Sequence, residues 1–366
     1  MSNNIPKSTK SYSGAMKVAY CPQPTPHFLL GIAPTSTINY RSATRRRTVA
    51  WLAFSSAFGL AGAADSPPTS PERTLLKVVV PVPPGGAADT MARLVMAPVS
   101  ESLHMSLVID NRPGASTQVG AEFVVRSRPD GRTLLFTTDA TTVINPHLYD
   151  KMRYAPKDLI PITLVGITPF ILVCSGAFPA TSLQQLLEVA RAQPATVSYA
   201  SIGVGSPQHL CMEMFARRAG VTFNHIPYSG AASLTAVAGG QVDITFASLG
   251  GAAPHVRSGK FRALGVATPA RVPMFPDVPT FAESGWAGYT AGTWLGLFGP
   301  AGMSAADVRR MQEAVSTVLQ VTSVRDSLAA IGADPVGNTP AQFAALIARE
   351  SAQWGSLIRS ARIRVE

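Results

Sequence analysis

Charged side chains are scarce in this sequence. Asp, Glu, Lys and Arg make up only 14% of 366 residues, against 46% hydrophobic residues, which excludes a disordered polyelectrolyte and leaves ample material for a core. Cysteine is nearly absent at three residues, so this is not a disulfide-built scaffold. Histidine numbers six, and His104, His147, His209, His225 and His255 are scattered without metal-ligand spacing. Neither a G-x-S-x-G elbow nor an H-E-x-x-H pair occurs, which argues against hydrolase and zinc-protease chemistry. No metal or cofactor is expected.

What is abundant is glycine and proline, 30 of each, which implies many tight connections. The net charge of +10 invites a nucleic-acid reading, but it is unevenly distributed. Seven of the 31 Lys and Arg precede position 64, where no acid occurs; the 24 that remain face 21 acids, a balance of only +3. With neither a basic cluster nor a recognisable binding module downstream, no nucleic-acid partner is expected.

The basic residues at the amino end belong to an address. From Arg41 a cluster ending in Arg45, Arg46 and Arg47 precedes an apolar stretch, Thr48 to Leu60, then small residues at Ala61 and Ala63. This is the pattern of a secretory signal at about 41–63, cleaved near Ala63. A membrane anchor is the alternative, but the 13-residue stretch is too short for a hydrocarbon layer of roughly 30 Å. The tandem arginines leave both ordinary secretion and the twin-arginine route open. Residues 1–63 are therefore read as a leader, its first forty positions as an extension from a start codon assigned too far upstream. The mature chain is expected to be soluble, exported and monomeric. Cys174 and Cys211 could bridge in an oxidising compartment, yet Cys174 lies in a strand-like run and Cys211 in a helical one, a placement that favours free buried thiols.

After position 74, short β-branched runs alternate with helical stretches, a rhythm that predicts an α/β protein with parallel sheets flanked by helices. Two long apolar strands stand apart, Ile162 to Cys174 and Gly292 to Pro300. As a pair of crossings they divide the mature chain into one lobe of 64–168 with 291–366 and a second of 169–290. Helices are expected at Ala88 to Leu103, Ser182 to Gln193, Ala305 to Leu319, Ser323 to Ala330 and Pro340 to Ser360.

The most informative segment is VVVPVPPGGAADTMAR from Val78, where a strand runs through two prolines and two glycines straight into a helix. A helix start presents amides without intrahelical partners and a partial positive charge, and glycine removes side chains that would block an anion. Asp89 in the first turn also serves as a cap. The pattern is neither a phosphate loop nor a dinucleotide fingerprint. A second such segment, VSYASIGVGSPQHL from Val197, enters its helix through Ser206 and Pro207; a third, FTTDATTVINPH from Phe136, ends its strand in hydroxyls. Three donor-rich strand ends suggest one polar-lined cleft.

Eight blocks carry a family resemblance: PVPPGGAADTMAR, DNRPGASTQVGA, PDGRTLLFTT, INPHLY, SYASIGVGSPQHL, HIPYSGAASLTAVAGGQVDITF, PHVRSGKFRALGV and FPDVPTFAESG, in that order between about Leu76 and Ile363. The chain resembles the Bug family, periplasmic receptors of tripartite tricarboxylate transporters. The resemblance implies a two-lobed periplasmic binding protein fold of type II-like topology, with two crossover strands and a small organic carboxylate held in the cleft between lobes. It also implies membrane permease subunits as partners. Carried over by position, the first lobe would offer Gly85, Gly86, Ala87, Ala88 and Asp89 with Thr138 and Asp139. The second would offer Ser201, Gly205, Ser206, His209 and Tyr228, though His209, three residues into a helix, could equally be a packing residue.

The departures bear on the ligand. Where the family often has Phe, Lys and Asp, this chain has Val82, Ser229 and Ala247, the last followed by Ser248. The Asp resembles a partner for a ligand ammonium. Its loss argues against an amino acid, because a buried cation without a counter-charge is strongly disfavoured. The expected ligand is a mono- or dicarboxylate without an amino group. A sensory module with the same closing motion, and less so an enzyme on the same fold, are the rival readings.

Overall fold

The computed structural model of the protein describes residues 73–365. The leader, with its signal and cleavage site, lies outside the described residues. The fold begins with β1 (Leu75–Val80), α1 (Ala87–Ser102), β2 (Ser106–Asn111), α2 (Gln118–Val125) and β3 (Thr133–Thr138). A π-helical turn, Ala140–Ile144, and the short α3 (Asn145–Leu148) lead into β4 (Leu159–Ser175). There follow α4 (Leu183–Ala192), β5 (Ser198–Ser201), α5 (Pro207–Ala219), β6 (Asn224–Pro227), α6 (Ala232–Ala238), β7 (Ile244–Ser248), α7 (Leu249–Arg257) and β8 (Phe261–Val266). The chain returns through β9 (Gly292–Pro300) and ends with α8 (Ala305–Val318), α9 (Thr322–Ala330), β10 (Asp334–Pro335) and α10 (Pro340–Ala361).

The strands form one continuous order, β2-β1-β3-β9-β4-β7-β5-β6, with β8 and β10 also paired to β4. Within each half the pairing is parallel, β1 with β2 and β3, β5 with β6 and β7. The strand-helix rhythm predicted parallel sheets, and the sheets are instead mixed. β9 runs antiparallel to both β3 and β4, and β4 antiparallel to β7 and β8. The reason is the crossing itself: a chain that goes out along one strand and comes back along its neighbour must pair them in opposite directions. β4 pairs with β9 over its first part and with β7 and β8 over its last, so a single strand belongs to both halves. This is the α/β, two-lobed architecture with two crossover strands.

Alternation sorts the core. Leu76, Val78 and Val80 of β1 pack with Met91, Val95 and Val99 of α1 and Val308, Met311 and Val315 of α8, while Val79 points to the opposite face. On that opposite face Phe343 of α10 is fully buried, with ring centroids 5.1 Å from both Trp294 and Phe298 of β9. Burying an aromatic of this size contributes about 1.5 to 3 kcal/mol, enough to dock the terminal helix on the crossing strand. α10 starts from a capping box, Thr339 with Gln342, and Pro340 in its first turn. Cys174 and Cys211 are buried and free.

Candidate functional site

The strand directions make the site. β3 and β4 run the same way through β9 between them, toward the second half; β7, antiparallel to β4, runs back toward the first. The carboxyl ends of both parallel groups therefore converge where β4 passes between the halves. Register gives the separation: Thr138, the last residue of β3, lies across Leu295 from Gly166 of β4, while Ser248, the last residue of β7, pairs with Phe170. Four residues of strand separate those levels, about 13 Å at roughly 3.3 Å per residue. Crevices outside strand carboxyl ends are where open α/β sheets bind small molecules.

Toward this junction β1 continues through exposed Pro83, Pro84, Gly85, Gly86 and Ala87 into α1. Gly85 has φ +83°, which favours glycine, and Gly86 opens the helix with no side-chain cap. The first-turn amides are thus left to whatever lies outside the helix. Asp89 is turned the other way and nearly buried. Its carboxylate accepts from the Gly85 N–H at 2.9 Å, Asn111 Nδ2 at 2.9 Å, and Arg93 at 3.0 Å through both oxygens. Burial raises its pKa, but those bonds outweigh it and hold the carboxyl down at about 2. Asp89 therefore braces the turn and neutralises Arg93, the cation nearest to it in sequence.

The turn from β5 to α5 is built differently. Ser206 caps α5, accepting from the His209 N–H, and Pro207 occupies the first turn. The amides of this loop are largely used within it: Gly203 N–H donates to Ser201 Oγ at 3.1 Å, Gly205 N–H to His209 Nδ1 at 2.9 Å, and Ser206 N–H to Gly203 O at 3.1 Å. An open nest of unpaired donors, as the sequence suggested here, is not what forms, because buried backbone groups find partners wherever the chain supplies them. Gly205, at φ +74°, sits directly against the Leu148 side chain of α3, so a Cβ there would collide with it. This contact joins a loop of the second half to a helix of the first. Tyr228 donates its amide to Ser201 O at 3.0 Å and is half-buried. Ser248 caps α7 by accepting from the Gly251 N–H, and Ala247 is buried beside Ile171 and Val173.

Asp139 stands apart from the other carried-over positions. Its Oδ1 accepts from Ala140 N–H at 2.9 Å and from the Thr293 hydroxyl of β9 at 2.7 Å. Complete burial pushes the carboxyl up to about 8; the Thr293 hydroxyl opposes this and Glu350 adds to it. It faces a cavity of about 640 Å³ against the crossing strands, shared with Trp294, Glu350 and Trp354 and with Met214 of α5. No other carried-over residue lines that cavity. Two further residues, absent from the carried-over positions, join the site: Glu350, whose Oε2 accepts from Trp294 Nε1 at 2.7 Å, and His225, whose Nε2 lies 2.7 Å from Ser201 Oγ. His225 carried a signal, as the first residue of an H-x-P-Y string ending in Tyr228. Glu350, on a helix 56 residues downstream of Trp294, carried none.

A sequence profile described as the tripartite tricarboxylate transporter family receptor matches residues 91–363. Protein BugT of Bordetella pertussis is 33% identical over 299 residues, 81% of this chain and 90% of its own. Among solved structures, the periplasmic binding protein BugD is 30% identical with a TM-score of 0.70, over 81% of this chain and 100% of its own. A protein of R. palustris solved with adipate is 32% identical at a TM-score of 0.73, covering 80% and 99%. MatC from Rhodopseudomonas palustris, with bound malate, is 32% identical at 0.69, covering 79% and 100%.

Proposed function

The chain belongs to the tripartite tricarboxylate transporter receptor family, and from that premise we propose that it is a periplasmic receptor for a small organic carboxylate. It takes up a mono- or dicarboxylate without an amino group between lobes of 64–168 with 291–366 and of 169–290, and hands it to the permease subunits of a tripartite transporter. It turns nothing over. What supports this reading is the convergence of the carboxyl ends of β3 and β7 at levels about 13 Å apart along β4, room for a small dicarboxylate with a hydrogen bond of about 2.9 Å at each end.

On this reading the uncapped first turn at Gly86, Ala87 and Ala88 receives one carboxylate, with Gly85 and Asp89 shaping the turn. Ser201, Gly205, Ser206 and Tyr228 present the opposing wall, with His209 behind Gly205 and with Thr138, Ala247 and Ser248 at the strand ends between them. Ligand bridging the lobes favours the closed form, and the permease reads the closed form. Micromolar affinity requires about 8 kcal/mol net, within reach of a carboxylate on several amide donors with water excluded. The relatives solved with adipate and malate favour the acid class.

The test is a thermal-shift screen of the mature protein against organic acids, followed by calorimetry. A ligand at 100 times its Kd adds about 2.7 kcal/mol. A simple carboxylate should shift the melt and aspartate or glutamate should not; tighter binding of an amino acid than of any amine-free acid would overturn the ligand class.

A further inference from the structure

We propose that His209 and His225 are positioning residues for the loop between β5 and α5, bracing Gly203, Gly205 and the Ser201 hydroxyl in the arrangement that meets the carboxylate. The inference rests on the binding reading above.

Three rings stack beneath the loop. Tyr199 lies 4.7 Å from His225, and His225 lies 3.9 Å from His209, with interplanar angles of 21° and 12°. The outer end of the stack is fixed by the Tyr199 hydroxyl, which donates to Glu213 Oε1 at 2.9 Å. Each imidazole reaches the loop through one nitrogen. His209 Nδ1 accepts from Gly205 N–H, and His225 Nε2 meets Ser201 Oγ, which itself accepts from Gly203 N–H and lies 3.0 Å from Gly203 O.

The loop needs a brace. Gly203 and Gly205, at φ +136° and +74°, have the widest conformational freedom of any residue. Between and beside them Val204 and Ile202 are 42% and 44% exposed, so neither is held in the core. The imidazoles supply what the loop lacks, and His209 can do so only when neutral: a nitrogen that accepts from an amide cannot carry a proton. Burial lowers both pKa values, to about 3 for His209, where neighbouring His225 adds to the effect, and to about 4 for His225. Both rings are therefore neutral across the physiological range. A ring that merely filled space would need no nitrogen at these two positions.

That difference makes the test. His209→Phe and His225→Phe keep a flat ring and remove the polar contact; His209→Asn and His225→Gln remove the ring but carry an oxygen or amide to about where Nδ1 or Nε2 stood. Two quantities are read: amide hydrogen exchange at Gly203 and Gly205 in the ligand-free mature protein, and affinity for adipate and benzoate by calorimetry. The Phe variants should speed exchange and weaken binding by about tenfold each, and the Asn and Gln variants by no more than about threefold. Phe variants like the wild type, or Asn and Gln variants as impaired as Phe, would overturn the proposal. A measurement on the wild type guards against misfolded variants. Imidazole ¹⁵N spectra at pH 7 should show His209 protonated at Nε2 and bare at Nδ1, and the reverse tautomer would overturn the brace. If the wild type binds neither acid nor any other in the screen, the receptor reading falls, while the exchange comparison still decides whether the loop is braced.

Discussion

Asp139→Asn is the sharpest probe of the crossing strands. In the fold the carboxyl is fully buried and its pKa stands at about 8 against 3.8 unperturbed, with burial as the main cause. The fold thus favours the protonated acid. The unfolded chain releases this proton near 3.8 and the native chain only near 8, so in between the unfolded state binds fewer protons and native stability falls as pH rises. Each pH unit lowers stability by about 1.4 kcal/mol. The contribution is fully present below 3.8 and lost as pH passes through 8. An asparagine carbonyl still accepts from Ala140 N–H and Thr293, the two bonds seen here, and does not titrate. Between pH 5 and pH 8 the stability difference should therefore move in favour of the Asn variant by about 4 kcal/mol. Urea melts of both proteins at pH 5, 6, 7 and 8, with ligand absent, measure it directly. A difference that stays constant within about 1 kcal/mol over that range would refute the reasoning, because Asp139 would then titrate alike in both states.

Gly205→Ala combines a left-handed backbone angle with a collision against Leu148; we expect a melting point lower by several degrees, from about 1 to 3 kcal/mol of strain, and weaker carboxylate binding in calorimetry. Asp89→Asn should flatten acid unfolding. The native pKa of about 2 means that its stabilisation is complete above 3.8 and lost as pH falls through 2, worth about 2 kcal/mol, and circular dichroism across pH 2 to 5 reads the change. Glu350→Ala leaves Trp294 Nε1 without its acceptor and should lower stability by about 1 to 3 kcal/mol, whereas Glu350→Gln should recover most of it in the same urea melts.

The sequence foretold the crossing strands well, for a physical reason. Ile162 to Cys174 and Gly292 to Pro300 are largely apolar, with Thr163, Thr168 and Thr293 the exceptions, because both faces of a central strand are mostly covered, and β4 and β9 are such strands. Helix starts were also legible, since Ser182, Ser206 and Ser304 announce themselves by type and each accepts from an amide three residues on. The site was legible only in part. That Pro-Gly-Gly would lead straight into a helix start could be read from the residues; that Asp89, expected as a cap, would instead turn inward to Arg93 and Asn111 could not, because Asn111 is 22 positions away.

By itself the sequence determined the alternation of strands and helices, the place of the two crossings and the points where glycine turns meet helix starts. These depend on hydrophobic period, capping residues and backbone freedom, all local properties. Tertiary structure alone decided which donors would be spent inside the protein. His209 and Gly205 are close in sequence, but the ring turns to that amide within a stack completed by His225 and Tyr199. The Asp139 carboxyl is pushed toward its protonated form because burial against β9 and α10 removes its water. Whether a polar group faces a ligand or a neighbour depends on what the rest of the chain brings within 3 Å of it, and local sequence carries no record of that.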